Sequence, residues 1–202
     1  MDIIINIDDN GIQYSNESLL KGILHHTKFD GGFDGSFNGE SGGFIGSGVR
    51  AETAAKLGFN GNPTQAECES KMVSFTLRAY PTHKLRLHKD LVEEVQSIYD
   101  ELKKLGVQLN GFQGSYCYRK IKKANGKSGN ALSMHALGCA IDINYNLNPY
   151  KDKGKPQASG DDTPRGIVRT MNSPIVKVFA NHGWGWGGRY GDYMHFSKAN
   201  GC

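Results

Sequence analysis

No stretch of the 202-residue chain approaches the run of about 18 apolar residues that a bilayer-spanning helix needs, which argues against a helical membrane protein. The amino terminus, M-D-I-I-I-N-I-D-D, is acidic, and its apolar core is too short for a secretory signal, so synthesis in a cytoplasm without an export signal is expected. Cysteine is sparse. The four thiols, at positions 68, 117, 139 and 202, form no C-x-x-C pair, which argues against a zinc finger or a thioredoxin-like motif, and all four are expected to be free. Cys139, between Gly138 and Ala140, reads as a small buried hydrophobe. Strong charge is missing too: the net charge is +4, concentrated in His83 to Lys89 and in Arg119 to Lys127. Such stretches are solvated surface or an attraction for an acidic polymer, and their poor aromatic interleaving argues against nucleic acid. The D-G-G-F-D-G-S-F-N run that starts at Asp30 misses the spacing of a calcium loop.

Glycine, by contrast, is abundant, with 27 residues. Those between Asp30 and Gly48 suggest a linker, with Phe29, Phe33, Phe37 and Phe44 as possible docking points. Ahead of it, Ile3, Ile5 and Ile7 alternate before Asn10-Gly11, the pattern of a small hairpin, and Ser15 to His26 has helical spacing. Short helices are expected at Ala51 to Leu57 and Thr64 to Lys71, and a strand at Val73 to Tyr80. The helix from Asp90 to Leu105 is the clearest element, with Asp90 and Glu93 as a capping box and Gly106 as its stop. Val107 to Tyr118 reads as a strand and Lys120 to Asn130 as a basic loop. Lys151 to Asp162 reads as a surface loop, Pro164 as the start of one helix, and Ser173-Pro174 as the start of another that ends at Gly183. His182 is then a packed helix-end residue. Of Trp184 and Trp186, one is expected in the core and one, Trp186, against a substrate. The length suits one ordinary domain plus an appendage, here divided as 1–70 and 71–202.

Chemistry gathers in two short stretches. Cys139 to Ile143 reads as a strand on which Asp142 is flanked by Ala140, Ile141 and Ile143, where an unpaired carboxylate would be costly. Gly138 offers a turn that lets His135 fold back toward that acid. The second stretch, G-D-Y-M-H-F-S from Gly191 to Ser197, sets His195 on a strand with Asp192 three residues before it. Two histidines and one aspartate are the three-ligand set of a catalytic zinc that keeps a position for water, and Asp192 is the second carboxylate that can take the proton of that water. Ser133 can bond the substrate or His135, or cap the turn. A serine hydrolase built on Ser133 and His135 is disfavoured, because Ser133 lies in no G-x-S-x-G elbow and stands too close to the histidine.

The pattern S-x-H-x-x-G-x-A-x-D from Ser133 to Asp142, the W-G-G at Trp186 and the D-x-M-H-F from Asp192 to Phe196 resemble the zinc peptidases of the D-alanyl-D-alanine carboxypeptidase and L-alanyl-D-glutamate endopeptidase family, which includes phage endolysins. The resemblance runs from about Ser74 to Ser197. It implies an α+β fold with a small antiparallel sheet flanked by helices, zinc held by His135, Asp142 and His195, a general base at Asp192, and an arginine, matched by Arg119, that polarises the scissile carbonyl. It further implies a monomer acting on peptidoglycan peptides at the bacterial wall, released from a host cytoplasm or carried in a phage particle, with residues 1–70 as an attachment part. The rival is a zinc-bearing binding module without peptidase activity, as in hedgehog signalling domains.

Overall fold

A computed structural model of the chain describes the backbone of residues 5–8 and 11–14, and residues 42–122, 127–150 and 160–200. The chain divides into two compact units, Met1–Phe33 and Asp34–Cys202. In the first, β1 (Ile5–Asp8) and β2 (Gly11–Tyr14) pair antiparallel with Asp8 opposite Gly11, so Gly11 belongs to the second strand and not to the turn. The helix expected from Ser15 to His26 and most of the glycine-rich stretch lie outside the described residues.

The second unit begins earlier than the expected boundary after residue 70. Helices α1 (Val49–Lys56) and α2 (Gln65–Ser70) are too short to bury a core of their own, and Ala54, Leu57, Phe59 and Cys68 join the same buried cluster as Leu87, Ile98 and Ile141. Thr64 starts α2 with a full capping box: its hydroxyl accepts from the Glu67 N–H and the Glu67 carboxylate accepts from the Thr64 N–H. The box expected at Asp90 and Glu93 is not formed. A single 3-10 turn over Lys89–Leu91 intervenes, the Asp90 N–H donating to the His88 ring, and α3 (Val92–Lys104) follows without a side-chain cap. Val95, Ile98, Tyr99 and Leu102 give α3 one buried stripe, and Gly106, at φ 75°, turns the chain away from its end.

The sheets are small. Strands β3 (Met72–Thr76) and β4 (Lys84–His88) form one hairpin, and β5 (Lys120–Lys122) and β6 (Ser128–Leu132) form another where a loop was expected. The third sheet, in the order β7-β9-β8, joins β7 (Ala140–Asp142), β9 (His195–Ser197) and β8 (Gly185–Trp186), all antiparallel. Helix α4 (Pro174–Asn181) carries Pro174 in its first turn and packs Ile175, Val178 and Phe179 into the core. The segment after Pro164 is a tight turn closed by mutual bonds between Asp162 and Ile167, not a helix. Nor is 107–118 a strand: its N–H groups are taken one at a time by Pro164, Asp142, Arg86 and His135, so no continuous ladder forms. Among the described residues no helix is long and apolar enough to cross a membrane.

His88 joins these layers. Its ring is fully buried against Phe59 at 5.6 Å, its backbone N–H donates to the Gly138 carbonyl at 2.9 Å, and burial holds its imidazole below its ordinary value, more than the nearby Asp90 carboxylate restores. A histidine harder to protonate when folded leaves the unfolded chain binding the proton first. Its stabilising contribution is therefore whole above about pH 6.5 and declines below it, by at most about 1.4 kcal/mol per pH unit. Thermal melts between pH 7 and 5 should show a steeper loss in the native protein than in His88→Phe. Parallel losses would assign the acid sensitivity elsewhere.

Candidate metal centre

The three ligand candidates converge because two turns and one strand register place them. Ser133 begins a 3-10 turn over Met134–Leu137, its hydroxyl accepting the His135 N–H at 3.3 Å, and Gly138, at φ 64°, reverses the chain into β7. That reversal requires glycine, since a Cβ there would stand 2.5 Å from the His88 nitrogen. Ser133 thus caps the turn. In the β7–β9 ladder Asp142 lies directly opposite His195, so the acid and the second imidazole are cross-strand neighbours. His135 Nε2 stands 3.2 Å from Asp142 Oδ1 and 3.2 Å from His195 Nδ1, and the last two atoms are 2.9 Å apart. Both histidines are buried.

Hydrogen bonding fixes what His135 can offer. Its Nδ1 is 2.7 Å from the Ser115 carbonyl oxygen, which can only accept, so Nδ1 carries the proton and Nε2 turns its lone pair toward Asp142 and His195. A lone pair, a carboxylate oxygen and a second imidazole nitrogen crowded this closely fit a shared cation, and two nitrogens with one oxygen are donors suited to zinc. Burial pushes the Asp142 carboxyl up, but the two imidazoles facing it, when they carry protons, outweigh burial and hold the group well below the usual carboxylate range. Among the described residues, His135, Asp142 and His195 form the group that can hold a metal.

Gly114 presses on this site from outside. It exchanges two backbone hydrogen bonds with Asp142, at 2.8 and 3.0 Å, and a Cβ on it would stand 2.7 Å from Asp142 Oδ2. Gly114→Ala should therefore displace the carboxylate and lower metal affinity by about 10- to 100-fold, the range seen when outer partners of metal ligands are disturbed. Chelator competition checks this, and unchanged affinity would show that the carboxylate yields without cost.

Asp192 occupies the loop between β8 and β9. A 3-10 turn over Gly187–Tyr190 and Gly191, at φ 79°, deliver it beside the ligands, and Gly187 leaves no room for a side chain, since a Cβ would lie 2.9 Å from the Asp192 carbonyl. Its Oδ1 is buried without a hydrogen-bond partner. Burial raises this carboxyl above its ordinary value, and the Asp142 charge adds to that, against the pull of His195, His135 and Arg119. Arg119 thus stands within electrostatic reach of Asp192, its carbonyl held by the Ser133 N–H at 2.9 Å.

Trp186 is not brought into a cleft. It is 5% exposed, and its indole N–H donates to the Tyr193 carbonyl at 2.9 Å, so it supports the loop that carries Asp192. Trp184 is buried as well and donates to Glu94. His182 bonds Glu101 at 2.8 Å, in keeping with a packed helix end. Cys68, Cys117 and Cys139 are free, Cys202 lies outside the described residues, and burial pushes the Cys68 and Cys139 thiols up to about 12, which suits neither ligand nor nucleophile. Ser115 and Gly114 had no signature in the sequence, because each acts on the site through backbone atoms.

One imidazole on a 3-10 turn, and a carboxylate and a second imidazole on adjoining strands, with a further half-buried carboxylate and an arginine close by, suit a metallohydrolase-type centre. Residues 126–198, about a third of the chain, match the family model described as D-alanyl-D-alanine carboxypeptidase, a stretch that holds His135, Asp142, Asp192 and His195 but begins after Arg119. The match supports a peptidase. No curated protein and no solved structure matches the chain.

Proposed function

We propose that the protein is a zinc-dependent metallopeptidase that cleaves peptidoglycan stem peptides, of the L-alanyl-D-glutamate endopeptidase or D-alanyl-D-alanine carboxypeptidase type, acting as a lysin of phage or prophage. The observation that carries the reading is the convergence of His135, Asp142 and His195 with Asp192, a carboxylate whose Oδ1 is buried and unpartnered, next to them. Zinc held by those three side chains supplies a Lewis acid for the scissile carbonyl and lowers the pKa of a water to about 7. Asp192 takes a proton from the attacking water and returns it to the departing amine, a return that its raised pKa favours. Arg119 directs its guanidinium at the carbonyl oxygen as negative charge builds there.

The rival reading is a binding module with a structural zinc, related to hedgehog domains. A structural site is closed by four protein ligands, whereas three converge among the described residues, and such a site has no use for a buried acid beside it. Mass spectrometry of defined stem peptides incubated with the protein separates the two. Cleavage that stops with a chelator and returns with zinc is expected, while adhesion to wall fragments without any product would give the rival the field. Of the region 1–70 expected to attach the protein, Met1–Phe33 is a compact unit of its own, and attachment is assigned to it. Deleting Met1–Phe33 should weaken lysis of whole cells more than hydrolysis of soluble peptide, and equal losses would remove the assignment.

A further inference from the structure

Between Glu101 and Asp142 the sequence places seven lysines and arginines and no acidic residue. Five of these seven fall from Arg119 to Lys127, and of the five Arg119, Lys120, Lys122 and Lys127 lie on or directly beside the described strands β5 and β6. Lys122 and Lys127 are exposed and Lys120 is half-buried. Lys120 and Lys122 stand two residues apart on β5, about 7 Å along the chain at the ordinary rise of a strand. The base of the hairpin is fixed to the metal centre: the Ser133 N–H holds the Arg119 carbonyl, and β6 runs directly into the turn that carries His135. Its body is anchored on the other side, where the Leu132 N–H donates to the Phe44 carbonyl at 2.6 Å and the Arg50 guanidinium donates to the Leu132 carbonyl.

We propose that this hairpin is a docking strip for an anionic phosphodiester polymer of the bacterial wall, which holds the metal centre against its substrate. The proposal rests on the reading of the protein as a wall peptidase. Lysine ammonium groups gathered on one hairpin meet the point charges of a phosphodiester chain without demanding the paired geometry of arginine and carboxylate. A nucleic acid is the poorer occupant, because no phenylalanine, tyrosine or tryptophan lies between Tyr118 and Tyr145 on which a base could stack. Lysines on an edge strand also prevent pairing with other chains, a role that predicts self-association of a neutralised variant and no change in polymer binding.

The test compares the full-length protein with the triple variant Lys120→Gln, Lys122→Gln, Lys127→Gln and with its Lys→Arg counterpart. The probes are immobilised poly(glycerol phosphate), an uncharged glucan, a single-stranded oligonucleotide and a soluble stem peptide. Neutralisation should raise Kd for poly(glycerol phosphate) by about tenfold at low salt, with the gap closing near 0.5 M NaCl, while the arginine variant binds as the native protein does. Peptide hydrolysis should stay within about twofold, as these side chains are outside the reacting group. Unchanged polymer binding, preference for the oligonucleotide, or an equal loss of peptide hydrolysis would each overturn the proposal. A native protein that cuts no stem peptide defeats the peptidase reading alone, since polymer binding is scored without turnover.

Discussion

Asp192→Asn is expected to keep its zinc and lose about a thousandfold in kcat on stem peptides, within the range of about 10² to 10⁴ that a positioned general base contributes. The amide matches the carboxylate in shape but cannot accept the proton of the attacking water, nor return one to the leaving amine. Stability should not fall with it. The buried Oδ1 of Asp192 has no hydrogen-bond partner to lose, and burial raises this acid's pKa, so the folded state bears a cost for ionisation at neutral pH that the amide removes. Metal content by atomic absorption, the melting temperature and kcat together give the answer. A kcat within tenfold of native, with full metal, would take Asp192 out of the proton transfer.

The candidate metal site was legible where side chains form it and strands alternate. Asp142 and His195 each stand on a short apolar strand, and the register that sets them opposite one another follows from that alternation. Gly138 was legible for a similar reason, since only a turn lets His135 reach back, and the turn is there. What the sequence hid depends on the backbone. Ser115 orients His135 through its carbonyl and Gly114 braces Asp142 through its peptide and its missing side chain, and neither function selects a recognisable residue pattern. The hairpin at Lys120 was masked by lysine, glycine and asparagine, which obscure the period of two, and the ladder itself shifts register between Lys120 and Lys122. Val107 to Tyr118 misled in the opposite direction. Its apolar residues look like a strand's, yet its N–H groups are taken by residues scattered along the chain. The early segment was assigned to an appendage because its helices are short and glycine surrounds them, while burial of Ala54, Leu57 and Cys68 makes it part of the common core.

Asp142→Asn should abolish hydrolysis by a different route, through loss of the metal. The amide withdraws the negative charge from between two imidazoles and turns either a weaker oxygen donor or an N–H toward His135 Nε2 and His195 Nδ1, which now stand 3.2 and 2.9 Å from Oδ1. Zinc affinity should drop by more than the roughly 100-fold that outer partners are worth, because this group is itself a ligand. The thermal readout is independent of turnover. A metal that binds only the folded state stabilises it by about 4 kcal/mol at a thousand times Kd, so zinc should raise the melting temperature of the native protein and of Asp192→Asn, and leave Asp142→Asn almost unmoved. Two silent enzymes would then be told apart by heat alone, one loaded and lacking a base, the other lacking its ion. If zinc stabilised Asp142→Asn as much as the native protein, the ion would have to sit elsewhere, and the convergence of His135, Asp142 and His195 would be a hydrogen-bonded cluster with no part in catalysis.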